Sequence, residues 1–352
     1  MAKSSYSKVD EYGFERPENF NYESYDAFMS EYMGILTRRA QRWNALERGI
    51  FKSPSILKRF IRKGIPIDRR RDVWMRISGA DNMKQNSPYT YAYMKKQIHN
   101  KSIIETIKID LPRTFPDNIF FISNETLPDM LFGVLATFAH QNKEVGYCQG
   151  LNYIAGLLLL ATKDEETSFW LLKTIVDQIL PQYYISTMTG LLTDLDVLDD
   201  LIYKYEPVVS RHIKAIEVPS LGVSKDLLTD TLETISYWLI LFDIGMPWAM
   251  GTTKWFICIF AEVLPTETVY RIWDCLFYEG SKVIFRVAIA LIRLHKQDIL
   301  KARELGELMM CFKVMRNNEA VIDCHQFMKD VFKLSGNLSK NSIQKLREKY
   351  KK

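Results

Sequence analysis

Apolar residues recur along this chain at intervals of three and four, the spacing of one helix face. Tyr25, Phe28, Met29, Tyr32, Leu36, Trp43 and Leu46 take such steps, which predicts a long amphipathic helix over residues 22–47. The stretch KGIPIDRRRDVWMRISGA reads as a loop whose Pro66 leads into a helix through Trp74. Residues 101–110 are predicted as a short helix stopped by Pro112. Residues 127–142 form another, with Leu131, Leu135 and Phe138 on one face. SFWLLKTIVDQIL repeats the pattern at Phe169, Leu172, Val176 and Ile179, until Pro181 ends it. Ser281 stands as the N-cap of KVIFRVAIALIRLHKQDIL. Strand-like alternation is confined to NIFFIS, residues 118–123, and no repeat of about 20–50 residues stands out. The expected fold class is all-α, a chain of packed helices.

Composition changes this picture little. The chain has 352 residues, 47% hydrophobic and 25% charged, ordinary for a globular protein with ample core. A net charge of +5 is too mild to imply nucleic acid. The lysine-rich end SIQKLREKYKK reads as a solvated helix or a frayed tail. No signal peptide is expected, since MAKSSYSKVDEYGFERPENF has no apolar core. LNYIAGLLLLA has 11 residues and ISYWLILF has 8, short of the roughly 20 that a membrane span needs. Cys148, Cys258, Cys275, Cys311 and Cys324 are odd in number and lack CxxC spacing, so they read as reduced, buried thiols of a cytoplasmic protein. No zinc-ligand spacing appears among the histidines.

Several chemistries are missing. There is no GxxxxGK[ST] phosphate loop, and NKEV at 142–145 lacks the aspartate of a guanine-reading NKxD. HExxH, GxSxG and HRD with DFG are absent. A self-contained hydrolase or kinase is therefore not expected. Two loop-borne polar residues remain. Arg113, in IKIDLPRTFPDN, follows a helix end; Pro112 fixes its own φ and disfavours the α conformation at Leu111, and Pro116 restricts the chain again. Such a stiff mount presents an arginine at low entropic cost. Read alone, Arg113 is equally an ordinary surface arginine or a partner of Asp110. Gln149, in VGYCQG, stands between Gly146 and Gly150, which allow backbone angles that other residues avoid. Tyr147 anchors that loop, Cys148 fits as a small buried residue, and the Gln149 amide can donate and accept at once. Alone, Gln149 is a turn or capping residue. Together the pair matches the two roles of GTPase activation in trans: an arginine against the transferred phosphoryl, worth about 10³–10⁵ in rate, and an amide that positions water.

Three motifs, in order, resemble the TBC domain of Rab GTPase-activating proteins. GIPxxxRxxVW is matched by Gly64, Ile65, Pro66, Arg70, Val73 and Trp74; IxxDxxR by Ile107, Asp110 and Arg113, followed by TFP; YxQG by Tyr147, Gln149 and Gly150, with Asn152 in GLN. EETSFWLL, TKWFICIF and RIWDCLFYEG are similar to the family's C-terminal half, so the resemblance covers residues 60–335. The N-terminal YGFERPENF and LTRRAQRW resemble one particular member. The resemblance implies an N-terminal helical extension over 1–59, a two-lobed helical domain over 60–335 with a groove for the GTPase, and a basic tail over 336–352. Arg113 would be the arginine finger and Gln149 the glutamine finger. Asp110 and Tyr147 would support them from behind, with Gly150 and Asn152 in the same turn. Trp74 would be core and Arg70 a buried or partly buried charge partner.

The implied partner is a Rab small GTPase in its GTP form. GTP and Mg²⁺ would belong to that Rab, so no cofactor is expected here. The chain would complete another protein's active site and act in vesicle trafficking. It would be cytoplasmic and meet endomembranes only through the Rab. A rival reading is a non-catalytic TBC-like protein that binds GTPases or scaffolds; the presence of both fingers favours catalysis. One departure stands out. After Leu221-Gly222 the chain takes 32 residues, Val223 to Lys254, to reach Trp255-Phe256, where the family takes about a dozen. The surplus at 223–243 reads as an alternative-exon or gene-model insertion, which sequencing of the transcript would test.

Overall fold

Trp74 donates its indole N–H to Asp274 Oδ1 at 2.8 Å, across a sequence separation of 200 residues. Long-range contacts of this kind define the structure, a computed structural model. It describes residues 8–16, 18, 20–46, 53–97, 100–123, 126–220, 248–315 and 318–351, with the backbone alone for 217–220. The surplus segment at 223–243 lies outside the described residues. The described residues are helical apart from turns and isolated bridges such as Phe14 with Asn118. The chain divides into two compact units, Met1–Thr187 with Trp273–Gly280, and Met188–Ile272 with Ser281–Lys352.

In the first unit the helix Tyr22–Asn44 begins where Asn21 Oδ1 accepts from Ser24 N at 3.0 Å. It ends short of the expected residue 47 and buries Tyr32, Arg39 and Trp43. Tyr25, Phe28, Met29 and Leu36 are half-buried. The Trp43 indole donates to Gly64 O at 3.0 Å and so seats the helix on the GIP turn. Helices Thr126–Gln141, Leu151–Thr162 and Glu165–Thr174 pack on one another and bury Leu131, Leu135, Phe138, Ile154, Leu158 and Phe169. After Thr174 the helix widens into a π turn, Ile175–Ile179, closed by Leu180 N to Ile175 O at 2.8 Å. Asp274 gathers the sequence-predicted GIP motif: its Oδ2 accepts from Ile65 N at 2.9 Å, and its Oδ1 also lies 3.4 Å from Arg70 Nε. Arg70 is 1% exposed and also donates to the Tyr12 hydroxyl at 3.3 Å.

Other sequence expectations change as well. NIFFIS is no strand: Asn118 Oδ1 accepts from Phe120 N at 3.0 Å and caps the short helix Ile119–Ile122. A local side-chain cap outweighs the β propensity of the isoleucines and phenylalanines. Leu111 keeps an α conformation before Pro112, with its N–H on Ile107 O at 3.1 Å, so a hydrogen-bonded turn overrides the pre-proline preference. Ser281 precedes helix Lys282–Leu294 without a side-chain cap; its Oγ accepts from Arg347 Nη2 at 2.9 Å. Cys311 is half-buried, while the other four cysteines are buried, and all five are free thiols.

In the second unit the helix Lys282–Leu294 is apolar nearly all round and packs on Thr189–Tyr205 and Cys324–Leu334. The C-terminal helix Lys340–Tyr350 is more than a solvated end. It packs on Thr189–Tyr205, buries Ile343, and ties Arg347 to the buried Asp194 by two hydrogen bonds of 2.7 and 2.6 Å. Among the described residues no helix is long and apolar enough to cross a membrane.

Candidate functional site

The helix Lys101–Asp110 delivers its last residue, Asp110, into the interior, fully buried. Ile107, one turn earlier, is buried on the same face. A carboxylate in that position needs donors. It has two, from two different loops. Arg113 Nε donates to Oδ1 at 2.5 Å, and the Tyr147 hydroxyl donates to Oδ2. The Arg113 side chain is 38% exposed, so part of it reaches solvent while the Nε/Nη2 edge of its guanidinium rests on Asp110. Burial, and then the neighbouring Asp110 charge, push the Tyr147 hydroxyl pKa well above its ordinary value, so it stays a donor at neutral pH.

The Arg113 loop turns tightly. Thr114 N returns to Leu111 O at 3.1 Å, and Phe115 stands at φ +54, a left-handed conformation uncommon for an aromatic residue. Packing holds it there. The Phe115 ring meets Phe14 edge-on at 5.1 Å and Tyr153 at 5.4 Å. Gly156 leaves room for it, since a Cβ there would sit 2.9 Å from Phe115 Cε2. The N-terminal segment braces the same turn: Asn118 Nδ2 donates to Tyr12 O at 2.9 Å and Ile119 N to Gly13 O at 2.8 Å.

The second loop uses the glycine freedom expected of it. Gly146 stands at φ +58 and Gly150 at φ +107. Between them Tyr147 turns to Asp110, Cys148 is buried, and Gln149 is half-buried. No described residue hydrogen-bonds the Gln149 side-chain amide, which leaves its donor and acceptor available. Gly150 N donates to Asn152 Oδ1 at 3.0 Å, which fixes the start of helix Leu151–Thr162. Asn152 Nδ2 in turn donates to Thr114 Oγ1 at 2.8 Å, and Thr114 Oγ1 donates to Asp110 O at 2.7 Å.

The structure thus brings Asp110, Arg113, Tyr147, Gly150 and Asn152 into one hydrogen-bonded frame, with Gln149 on the loop that the frame holds. Arg70 and Trp74 are gathered on a different carboxylate, Asp274. Sequence reasoning missed Thr114, although it directly follows Arg113, and Asp274, although it lies within RIWDCLFYEG. Among the described residues no group of three or more His, Cys, Asp or Glu side chains could hold a metal. Chemically, the frame offers a part-exposed guanidinium and a neutral amide on two stiff loops, with a buried carboxylate behind them.

Comparisons with known proteins bear on this arrangement. The sequence model of the Rab-GTPase-TBC domain family matches residues 68–237 and 220–300. The two stretches overlap at 220–237. Growth hormone-regulated TBC protein 1-A of Danio rerio is 42% identical over 99% of this chain and 91% of its own length. Growth hormone-regulated TBC protein 1 of Homo sapiens is 40% identical over 98% of this chain and 96% of its own length. Among solved structures, the Chlamydomonas flagellar RabGAP TBC domain superposes with a TM-score of 0.68 at 30% identity, covering 94% of this chain and 99% of that one. The Ypt/Rab-GAP domain of Gyp1p, at 16% identity, has the same fold, with a TM-score of 0.65 over 86% of this chain and 98% of that one.

Proposed function

Because the chain belongs to the Rab-GTPase-TBC domain family, we propose that it binds a Rab-family small GTPase in its GTP form and supplies two residues that complete the partner's active site. Arg113 neutralises charge that develops on the transferred γ-phosphoryl. Gln149 orients the attacking water. Water adds to the γ-phosphorus, the bond to the β-phosphate oxygen breaks, and GDP and inorganic phosphate leave. GTP and Mg²⁺ belong to the partner; this chain contributes side chains and no cofactor. It is an activator rather than a hydrolase. By returning the GTPase to its GDP form it limits how long that GTPase acts in vesicle traffic. It works from the cytoplasm and reaches endomembranes through the partner.

The observation that carries this reading is the shared carboxylate: Asp110 holds Arg113 with one oxygen and Tyr147, two residues from Gln149, with the other. A positively charged finger and an amide finger held from one buried anchor lose little freedom on docking, which favours the transition state over loose encounters. One observation favours the non-catalytic alternative, a GTPase-binding scaffold. Arg113 already has Asp110 as an ion-pair partner, which gives it a structural role without catalysis.

GTP turnover by a panel of purified Rab GTPases separates the two. The wild-type chain is expected to stimulate at least one of them. Arg113→Ala is expected to remove about three orders of magnitude of that stimulation while leaving a folded protein. Gln149→Ala is expected to impair it strongly. A well-folded wild-type chain that stimulates no member of the panel would establish the scaffold reading.

A further inference from the structure

Beyond the shared carboxylate, a second connection joins the two loops directly. Thr114 and Asn152 are each 1% exposed, and Thr114 Oγ1 stands between the Arg113 side and the Gln149 side. It donates to Asp110 O and accepts from Asn152 Nδ2. A hydroxyl offers one proton and two lone pairs, and here the proton goes to one loop while a lone pair serves the other. Asn152 repeats the pattern: its Nδ2 is spent on Thr114 and its Oδ1 on the Gly150 N–H. The result is a four-membered relay, Gly150 N–H to Asn152 to Thr114 to Asp110 O. An apolar contact runs beside it, from Phe115 to Tyr153 at 5.4 Å between ring centroids.

We infer that Thr114 is a positioning residue that makes the Arg113 and Gln149 loops move as one unit. The inference deepens the paired-finger reading and rests on it. Removing the hydroxyl leaves the buried Asn152 Nδ2 without an acceptor, so Asn152 must turn. When Asn152 turns, the acceptor for Gly150 N–H is lost, and with it the orientation of the residue just before, Gln149. A methyl in place of the hydroxyl therefore disturbs the glutamine from the arginine's loop. Displacements of about 1 Å in such positioning cost on the order of a hundredfold in rate.

The test compares Thr114→Val, Thr114→Ala and Thr114→Ser with wild type, each checked for folding by circular dichroism and melting. In stimulated GTP hydrolysis, T114V and T114A are expected to lose about ten- to a hundredfold in kcat with KM changed less than about threefold, and T114S to stay near wild type. Gln149→Ala made in the T114V background is expected to cost much less than in wild type, because the amide is already misplaced. A second measurement needs no GTPase. Hydrogen–deuterium exchange over residues 146–152 is expected to quicken in T114V and T114A and to be restored in T114S. Folded T114V and T114A with unchanged kcat, or with unchanged exchange over that loop, overturn the inference. A wild-type chain that stimulates no GTPase overturns the paired-finger reading instead, and the exchange result then decides the coupling by itself. If T114V does not fold, T114A against T114S carries both measurements.

Discussion

The Tyr147 hydroxyl donates to the carboxylate of Asp110, 37 residues earlier in the sequence, and thereby pins the VGYCQG turn to the end of helix Lys101–Asp110. Tyr147→Phe keeps the ring and removes that bond. The buried carboxylate then keeps Arg113 but loses a donor. The expected cost is about 1–3 kcal/mol in urea unfolding, with a clear fall in stimulated GTP hydrolysis. A variant with wild-type stability would mean that the hydroxyl contributes nothing to the frame. The same bond has a pH signature. Burial and then Asp110 raise the Tyr147 pKa above its ordinary 10.0. Burial and then Glu165 do the same for Tyr91. Protonated tyrosine is favoured in the folded chain, so this stabilisation is complete below about pH 10 and is lost as pH rises further. Absorbance titration, taken as the difference from Tyr147→Phe and Tyr91→Phe variants, should show both residues forming tyrosinate above the ordinary tyrosine range; titration of either at its ordinary pH in the native state would refute the assignment.

The backbone of the same turn predicts an order of tolerance. Gly150 stands at φ +107 and ψ −32, outside the left-handed helical well, while the φ of Gly146, +58, falls in the range of that well. An added Cβ at Gly146 meets Ile103 Cδ1 at 3.3 Å, a contact that a small shift of one side chain relieves. Gly146→Ala should therefore cost about 1–2 kcal/mol. Gly150→Ala should cost up to about 3 kcal/mol and lose more GTPase stimulation, since it also moves the amide that Asn152 Oδ1 holds. Thermal melts and GTP turnover of the two variants, side by side, check the order. The reverse order would place the strain at the wrong end of the turn.

These residues show what a sequence reveals and what it hides. Arg113 and Gln149 were legible because prolines and glycines punctuate the chain around them, and backbone restriction is a local property. Asp110 was legible from its distance to Arg113, one helical turn. Thr114 was not, because its purpose lies in Asn152, 38 residues away. A threonine after an arginine carries no periodic signal. NIFFIS is a helix despite its strand propensity because its first residue, Asn118, caps the turn that follows. The glycine-flanked turn and the helix pattern were local; the carboxylates that tie distant segments together were not.

Asp274 is the clearest of those hidden anchors. It accepts from Ile65 N at 2.9 Å and Trp74 Nε1 at 2.8 Å and faces the Arg70 guanidinium at 3.4 Å. Arg70 and Asp274 are both buried, so removal of the carboxylate takes away the counter-charge beside a buried guanidinium and the acceptor of the Ile65 and Trp74 N–H groups. Asp274→Ala should destabilise by about 3–5 kcal/mol. Guanidinium chloride unfolding followed by tryptophan fluorescence measures it, since Trp74 and Trp273 report from the same place. Asp274→Asn, which keeps an acceptor oxygen, should recover part of the loss. An alanine variant within about 1 kcal/mol of wild type would show that the motif is held by packing alone.

The C-terminal helix supplies a sharper contrast between composition and structure. Its lysine-rich sequence suggests a solvated end, yet Arg347 forms a fork with both oxygens of Asp194 and also reaches Ser281 Oγ. Asp194 is buried, and the Arg347 side chain is a quarter exposed. The pair is thus shielded from solvent in a way that an exposed ion pair is not. Arg347→Ala should cost about 3 kcal/mol, against the 1 kcal/mol or less typical of an exposed pair. Arg347→Lys keeps the charge but cannot span both oxygens, so it should recover less than half. The loss should change little between low and high salt, because Debye screening acts weakly on a buried contact. By comparison Lys349 of the same helix pairs with Asp200 of helix Thr189–Tyr205 near the surface, and this pair should contribute little, and that little should fade with salt. Urea unfolding of the arginine and lysine variants at two ionic strengths distinguishes the cases. If Arg347→Ala unfolds with the wild type, the helix is the solvated end that its composition suggests.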